Sequence, residues 1–195
     1  MRDKLPNALS LSRIGIAPLV LLVYSPADQL RFSIAVIAIV IAILTDLVDG
    51  PLARRWGISS ESGYIFDGLG DRSFYVGLIL IFVAYHNLHI VVAWIVILRE
   101  IAMYALRLVM SRAWFTNNPA VRSTSLLHAA SIRSWFFTYF FSDALNLFAG
   151  IDLESENLYL MLRLLLLVST ILTGYISIYR LSQQALFSSS KTRST

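Results

Sequence analysis

The chain contains no cysteine, which removes disulfides, thiolate metal sites and a cysteine nucleophile from consideration and leaves the redox compartment open. Charge is scarce as well: Asp, Glu, Lys and Arg make up 14% of its 195 residues, against about a quarter in an ordinary soluble domain. The formal net charge of +4 is scattered over short polar breaks with no long Lys/Arg run, so the basic stripe of a nucleic-acid binder is missing. No internal repeat is visible.

What is present is apolar. Hydrophobic residues make up 57% of the chain and mean hydropathy is +0.68, which points to a bilayer as solvent. Six stretches are long enough to cross hydrocarbon as helices: Leu9 to Tyr24, Phe32 to Leu52, Tyr64 to Tyr85, Ile90 to Met110, Leu126 to Phe148 and Leu158 to Tyr179. Pro26, Pro51, Gly57, Gly63, Asn87, Pro119 and Gly150 mark the breaks between them. The expected architecture is an all-α integral membrane bundle of six transmembrane helices. Residues 1–187 are expected to form one six-helix membrane domain, and the Ser-rich stretch 188–195 a disordered tail. Met1 to Tyr24 reads as an uncleaved first span, because Arg13 interrupts the apolar run and Pro26 follows Ser25, the one plausible cleavage residue.

Basic residues alternate from side to side. Arg2 and Lys4, Arg54 and Arg55, Arg107, Arg112 and Arg122, and Arg180, Lys191 and Arg193 fall on one side. The other side carries Asp28 with Arg31, then His86 and His89, then Asp152, Glu154 and Glu156. The positive-inside rule then makes both termini cytoplasmic, which requires an even number of spans.

The chemistry concentrates in Asp46-Leu-Val-Asp49-Gly50-Pro-Leu-Ala53-Arg54, followed by Gly63-Tyr-Ile-Phe-Asp67-Gly-Leu-Gly-Asp71. Asp46 and Asp49 share one face of the second helix, and Asp67 and Asp71 one face of the third. Each acid near the membrane interior costs about 2.5–3.5 kcal/mol, and clustering raises that cost. Arg54, Arg55 and Arg72 offset some of it. Oxygen-only carboxylates suit hard divalent cations, Mg²⁺ or Mn²⁺, and two such ions close together serve phosphoryl transfer. Gly50, Ala53 and Gly63 leave room for a nucleotide or pyrophosphate against the backbone, and Arg54 is placed to meet a phosphate.

This stretch resembles the signature of the CDP-alcohol phosphatidyltransferase family, D-x2-D-G-x2-A-R-x8-G-x3-D-x3-D, at all eight fixed positions. The resemblance implies that Asp46, Asp49, Asp67 and Asp71 bind two divalent cations and that Asp71 is also the general base. It further implies that Asp49, Gly50, Ala53, Arg54 and Gly63 shape a CDP site. The implied reaction moves a phosphatidyl group from CDP-diacylglycerol to an alcohol with release of CMP. It would take place at the cytoplasmic face of a bacterial membrane, in a homodimer.

Pro6 to Arg13, continuing to Pro18, and Leu98-Arg99-Glu100-Ile101 are similar to the branch that makes phosphatidylglycerophosphate or cardiolipin. The expected acceptor is therefore glycerol-3-phosphate, with phosphatidylglycerol as the alternative. Ser131-Ile132-Arg133-Ser134 replaces a Lys-x-Lys-Thr run of that branch, and Arg72 stands where it usually has lysine, which keeps an inositol-phosphate acceptor in view. Arg99 and Arg133 are candidates to hold an anionic acceptor. The competing expectation is that they pair with Glu100 of a neighbouring subunit, with Asp143 or with lipid phosphate.

Arg163 is expected to snorkel, His86, His89 and His128 to be interfacial, and Trp56, Trp114 and Tyr85 to anchor helix ends. Phe136, Phe137, Phe140 and Phe141 are expected in packing or against lipid, and Asp152, Glu154 and Glu156 in a solvated loop. Two other classes compete: an intramembrane prenyltransferase, for which the second half lacks an Asp pair, and a cation transporter, for which paired halves are missing.

Overall fold

The computed structural model describes the backbone of residues 5–55, 61–109 and 119–191. Side chains are described at 12–45, 65, 68–106, 108, 119 and 122–183. Among the described residues there are six α-helices and no strand: α1 (Leu5–Val23), α2 (Gln29–Arg55), α3 (Glu61–Tyr85), α4 (Ile90–Val109), α5 (Pro119–Ala149) and α6 (Asn157–Lys191). The all-α expectation holds. Among the described residues, two helices are long and apolar enough to cross a membrane, over Gly68–Tyr85 and Asn157–Gln183.

The helices begin and end where local chemistry stops them. The Asp28 carboxylate accepts from the backbone N–H of Leu30 and Arg31 at 3.0 and 3.1 Å, an N-cap for α2. Arg31 turns back to the other helix end, donating to Val23 O and Leu22 O at 3.1 and 3.0 Å, where orphan carbonyls of α1 need a donor. One four-residue neighbourhood therefore closes α1 and opens α2. Asn87 (φ 52°) follows α3 and Gly150 (φ 68°) follows α5, both residue types that tolerate the left-handed region. Pro119 opens α5, where its missing N–H costs nothing.

Three boundaries differ from the sequence reading. α2 runs through Pro51 to Arg55; the proline removes one backbone hydrogen bond without ending the helix. Gly63 lies inside the first turn of α3 and does not break the chain. α6 continues past Tyr179 to Lys191, through the first four residues of the expected disordered tail; residues 192–195 lie outside the described residues. Hydropathy marks only the part of a helix that suits hydrocarbon, so polar helical ends escape it.

The chain divides into two compact units, Met1–Ala93 with Asn146–Gly150, and Trp94–Leu145 with Ile151–Thr195. In the first, α1 packs on α2 and α3. Arg13, Ala17, Val20 and Tyr24 form its buried stripe, at the 3–4 residue spacing of one helical face. Arg13 meets Asp71, Ala17 lies under Gly77, and the Tyr24 and Tyr85 rings sit 5.4 Å apart. Residue number rises along both helices together, so α1 and α3 are parallel. A side chain at Gly77 would come within 3.2 Å of Ala17 Cβ, which is why the two backbones approach so closely there.

Polarity is inverted relative to a soluble protein. Leu22, Leu30, Phe137, Leu158 and Leu165 are 74, 70, 63, 79 and 65% exposed, while Arg13, Arg99, Glu100, His128 and Arg163 are at most 7% exposed. Water would drive the opposite sorting; hydrocarbon around the helices accounts for it.

Candidate active site

The expected acidic residues fall at the C-terminal end of α2 and the N-terminal end of α3. The backbone is helical at Asp46, Asp49, Asp67 and Asp71, so the three- and four-residue spacings place each pair of positions on one side of its helix. Gly50, Ala53 and Arg54 continue α2 beyond Asp49, and Gly63 precedes Asp67 in α3. The side chains at 46–64, 66 and 67 lie outside the described residues, as do Trp56, Trp114 and the basic residues Arg2, Lys4 and Arg112.

Asp71 is the member of the set whose surroundings are defined. Its side chain is 26% exposed and forms an ion pair through Oδ1 with Arg13 Nη1, from a guanidinium side chain that is 2% exposed. Its second oxygen, Oδ2, lies 3.7 Å from Arg72 Nη1, and that nitrogen also reaches back to Gly68 O at 3.5 Å. Sequence reasoning took Arg54, Arg55 and Arg72 as the compensating cations and missed Arg13. The signal was available: an arginine alone in an apolar first span needs a buried partner.

The acidic positions fit a divalent-cation site on the chemistry of the donors, which are carboxylate oxygens throughout. Asp71 is also partly exposed, so an ion can reach it.

A second polar cluster lies among α4, α5 and α6, within the second unit. Arg99 donates to Glu100 Oε1 at 2.6 Å and to Ser177 Oγ at 3.0 Å. His128 Nε2 donates to the same Glu100 oxygen at 2.9 Å, and its Nδ1 faces Thr170 O at 3.1 Å. Gly174 makes the space: a Cβ there would sit 2.9 Å from Arg99 Nε and 3.1 Å from His128 Nδ1. Arg99 is thus paired with Glu100 of its own chain, not with that of a neighbouring subunit. His128, expected at the interface, is buried because Glu100 and Thr170 supply its partners. Arg133 is exposed on α5.

Arg163, expected to snorkel, is buried against protein and reaches back past the start of α6, donating to Glu154 Oε1 at 2.9 Å. Its guanidinium carbon lies 4.1 Å from the Tyr139 ring centroid and 4.8 Å from that of Tyr159, within cation–π range. The acidic loop before α6 is correspondingly ordered: Asp152 accepts from Glu154 N–H at 2.9 Å and from Ser155 Oγ at 3.1 Å. Of the phenylalanines, Phe136 is buried, while Phe137 and Phe141 stack at 5.4 Å on the outer surface.

Helices that turn leucine outward, close over buried ion pairs and carry four acidic positions along α2 and α3 define a helical membrane protein. The chain belongs to the CDP-alcohol phosphatidyltransferase family, whose profile matches residues 3–175. Three relatives share the name CDP-diacylglycerol--glycerol-3-phosphate 3-phosphatidyltransferase. That of Wigglesworthia glossinidia brevipalpis is 38% identical over 110 residues, 55% of this chain and 60% of that protein. That of Escherichia coli is 36% identical over 110 residues, with the same shares. That of Rickettsia felis is 26% identical over 103 residues, 53% of this chain and 57% of that protein. The matched stretch therefore spans somewhat more than half the length of these relatives.

Proposed function

We propose that the protein transfers a phosphatidyl group from CDP-diacylglycerol to glycerol-3-phosphate, giving phosphatidylglycerophosphate and CMP. The observation that carries this reading is the family match over residues 3–175, which takes in both acidic pairs; the names of the relatives favour glycerol-3-phosphate as acceptor.

Asp46, Asp49, Asp67 and Asp71 would hold two divalent cations, Mg²⁺ or Mn²⁺. Bound there, such a pair supplies charge stabilisation for the phosphoryl oxygens and the leaving group. Asp71 takes the proton of the acceptor hydroxyl. The freed oxygen bonds to the lipid-linked phosphorus while the bond from that phosphorus to the CMP oxygen breaks, so CMP leaves with the electron pair. Asp49, Gly50, Ala53, Arg54 and Gly63 receive the CDP moiety: the small residues admit it and Arg54 meets its phosphate. Arg99 and Arg133 are retained as acceptor contacts, Arg99 by way of a guanidinium already held by Glu100 and Ser177.

In this reading residues 1–187 act as one catalytic domain in a homodimer, six helices span a bacterial cytoplasmic membrane, both termini are cytoplasmic and the site opens to the cytoplasm. Polar CDP then stays in water while the acyl chains remain in lipid.

The test is a product assay. Purified protein is given CDP-diacylglycerol and, in parallel, glycerol-3-phosphate, phosphatidylglycerol, serine or inositol phosphate. CMP release with phosphatidylglycerophosphate as the lipid product is expected. Cardiolipin or an inositol lipid would move the acceptor assignment, and no CMP exchange into CDP-diacylglycerol would remove the transferase reading.

A further inference from the structure

We propose that Arg13 is a positioning residue for the transfer reaction: from α1 it fixes Asp71 through Oδ1, so that Oδ2 is the oxygen offered to a divalent cation. This rests on the metal-binding role assigned to Asp71 above and extends it to a residue outside the acidic signature.

The two carboxylate oxygens are not equivalent. Oδ1 is paired with a guanidinium side chain that is 2% exposed, whereas the cation facing Oδ2, Arg72, stands off at 3.7 Å on a side chain that is 12% exposed. An aspartate carboxyl rotates freely about its terminal torsion unless something holds one end. Arg13 does so from a buried position, and Arg72 can yield its longer contact to an incoming ion.

The grip is rigid because the helices are. Arg13 shares its buried stripe with Ala17, Val20 and Tyr24. The close approach of Ala17 to Gly77, 3.2 Å from a Cβ there, leaves little room for α1 to shift against α3. An arginine within an apolar helix requires an anionic or polar partner, and Asp71 is one that Arg13 meets. Groups that hold a metal-binding carboxylate in this way typically contribute about 10–100-fold to metal affinity or activity.

The sign of the effect separates this role from simple electrostatics. By charge alone, Arg13 repels a cation, and removing it tightens metal binding. By positioning, removing it loosens binding. The experiment is Mn²⁺ titration of the purified full chain in detergent without substrate, reading free Mn²⁺ by its paramagnetic resonance signal, alongside kcat and KM.

Arg13→Met is expected to weaken Mn²⁺ binding about 10–100-fold, with Arg13→Lys recovering part of it and Arg72→Met having a much smaller effect. In an Asp71→Asn background, Arg13→Met should cost nothing further, because the role runs through Asp71. Unchanged or tighter binding by folded Arg13→Met, or an additive loss in the double variant, overturns the proposal. If Arg13→Met does not fold, Arg13→Lys decides the matter, and wild-type affinity in that variant overturns it. A wild-type chain that binds no Mn²⁺ overturns the metal reading itself, a result distinct from one in which the wild type binds and Arg13→Met matches it.

Discussion

Arg13, Arg99 and Arg163 each place a guanidinium in a helix surrounded by outward-facing apolar side chains, and each is neutralised differently. Arg13 meets a carboxylate 58 residues away, on α3. Arg99 pairs with its chain neighbour Glu100 and with Ser177, 78 residues away. Arg163 takes Glu154 and two tyrosine rings. The arginines themselves are legible in the sequence as intramembrane charges that need partners; which residues serve is not, because the partners are remote in the chain. The tightest of these arrangements depends on a missing side chain. Gly174→Ala gains about 1 kcal/mol of helix propensity but drives a methyl into the pinned Arg99 and His128, and overpacking of that kind costs about 1–3 kcal/mol. The net cost is about 0–2 kcal/mol, so the expected outcome is an apparent melting temperature in detergent lowered by up to roughly 8 °C; a raised value would mean that Arg99 and His128 yield freely to the added methyl.

At the level of helices, Glu100 is the link that ties α4 to α5 through His128, while Arg99 ties α4 to α6 through Ser177. Breaking a buried ion pair at one partner typically costs about 3–5 kcal/mol. Glu100→Gln should therefore lower the apparent melting temperature by roughly 6–20 °C, measured by loss of helical circular dichroism in detergent; a shift within error would show that the cluster does not hold the helices. The helices were largely readable beforehand, since long apolar runs and the Pro26, Asn87, Pro119 and Gly150 punctuation identify them. Their ends were less so, because Pro51, Gly63 and the polar residues after Tyr179 are compatible with a helix that neighbouring groups support. The cap formed by Asp28 and Arg31 also accounts for a basic residue on the side otherwise poor in them: its charge serves the carbonyls of α1.

For the molecule as a whole, the outward display of leucine and phenylalanine argues for lipid around the helices, and the distribution of Lys and Arg argues for cytoplasmic termini. The absence of cysteine makes this directly testable with introduced thiols. Asp3→Cys and Thr195→Cys should resist a membrane-impermeant maleimide applied to intact cells, and Ser155→Cys, in the loop before α6, should be labelled. Labelling of the first two with protection of Ser155→Cys would invert the topology and put the acidic positions on the other face, away from a cytoplasmic CDP-lipid.

The sequence by itself determined the helical class, the approximate positions of the helices and the acidic signature, because each is written in periodicity, composition or spacing over a short stretch of chain. Family membership was legible for the same reason, the eight signature residues lying between Asp46 and Asp71. Tertiary structure alone decided that Arg13 answers Asp71, that His128 is interior and that Arg163 stays inside. A charge inside apolar surroundings announces that it must be paired, but its partner is fixed by which helix faces meet, and only packing settles that.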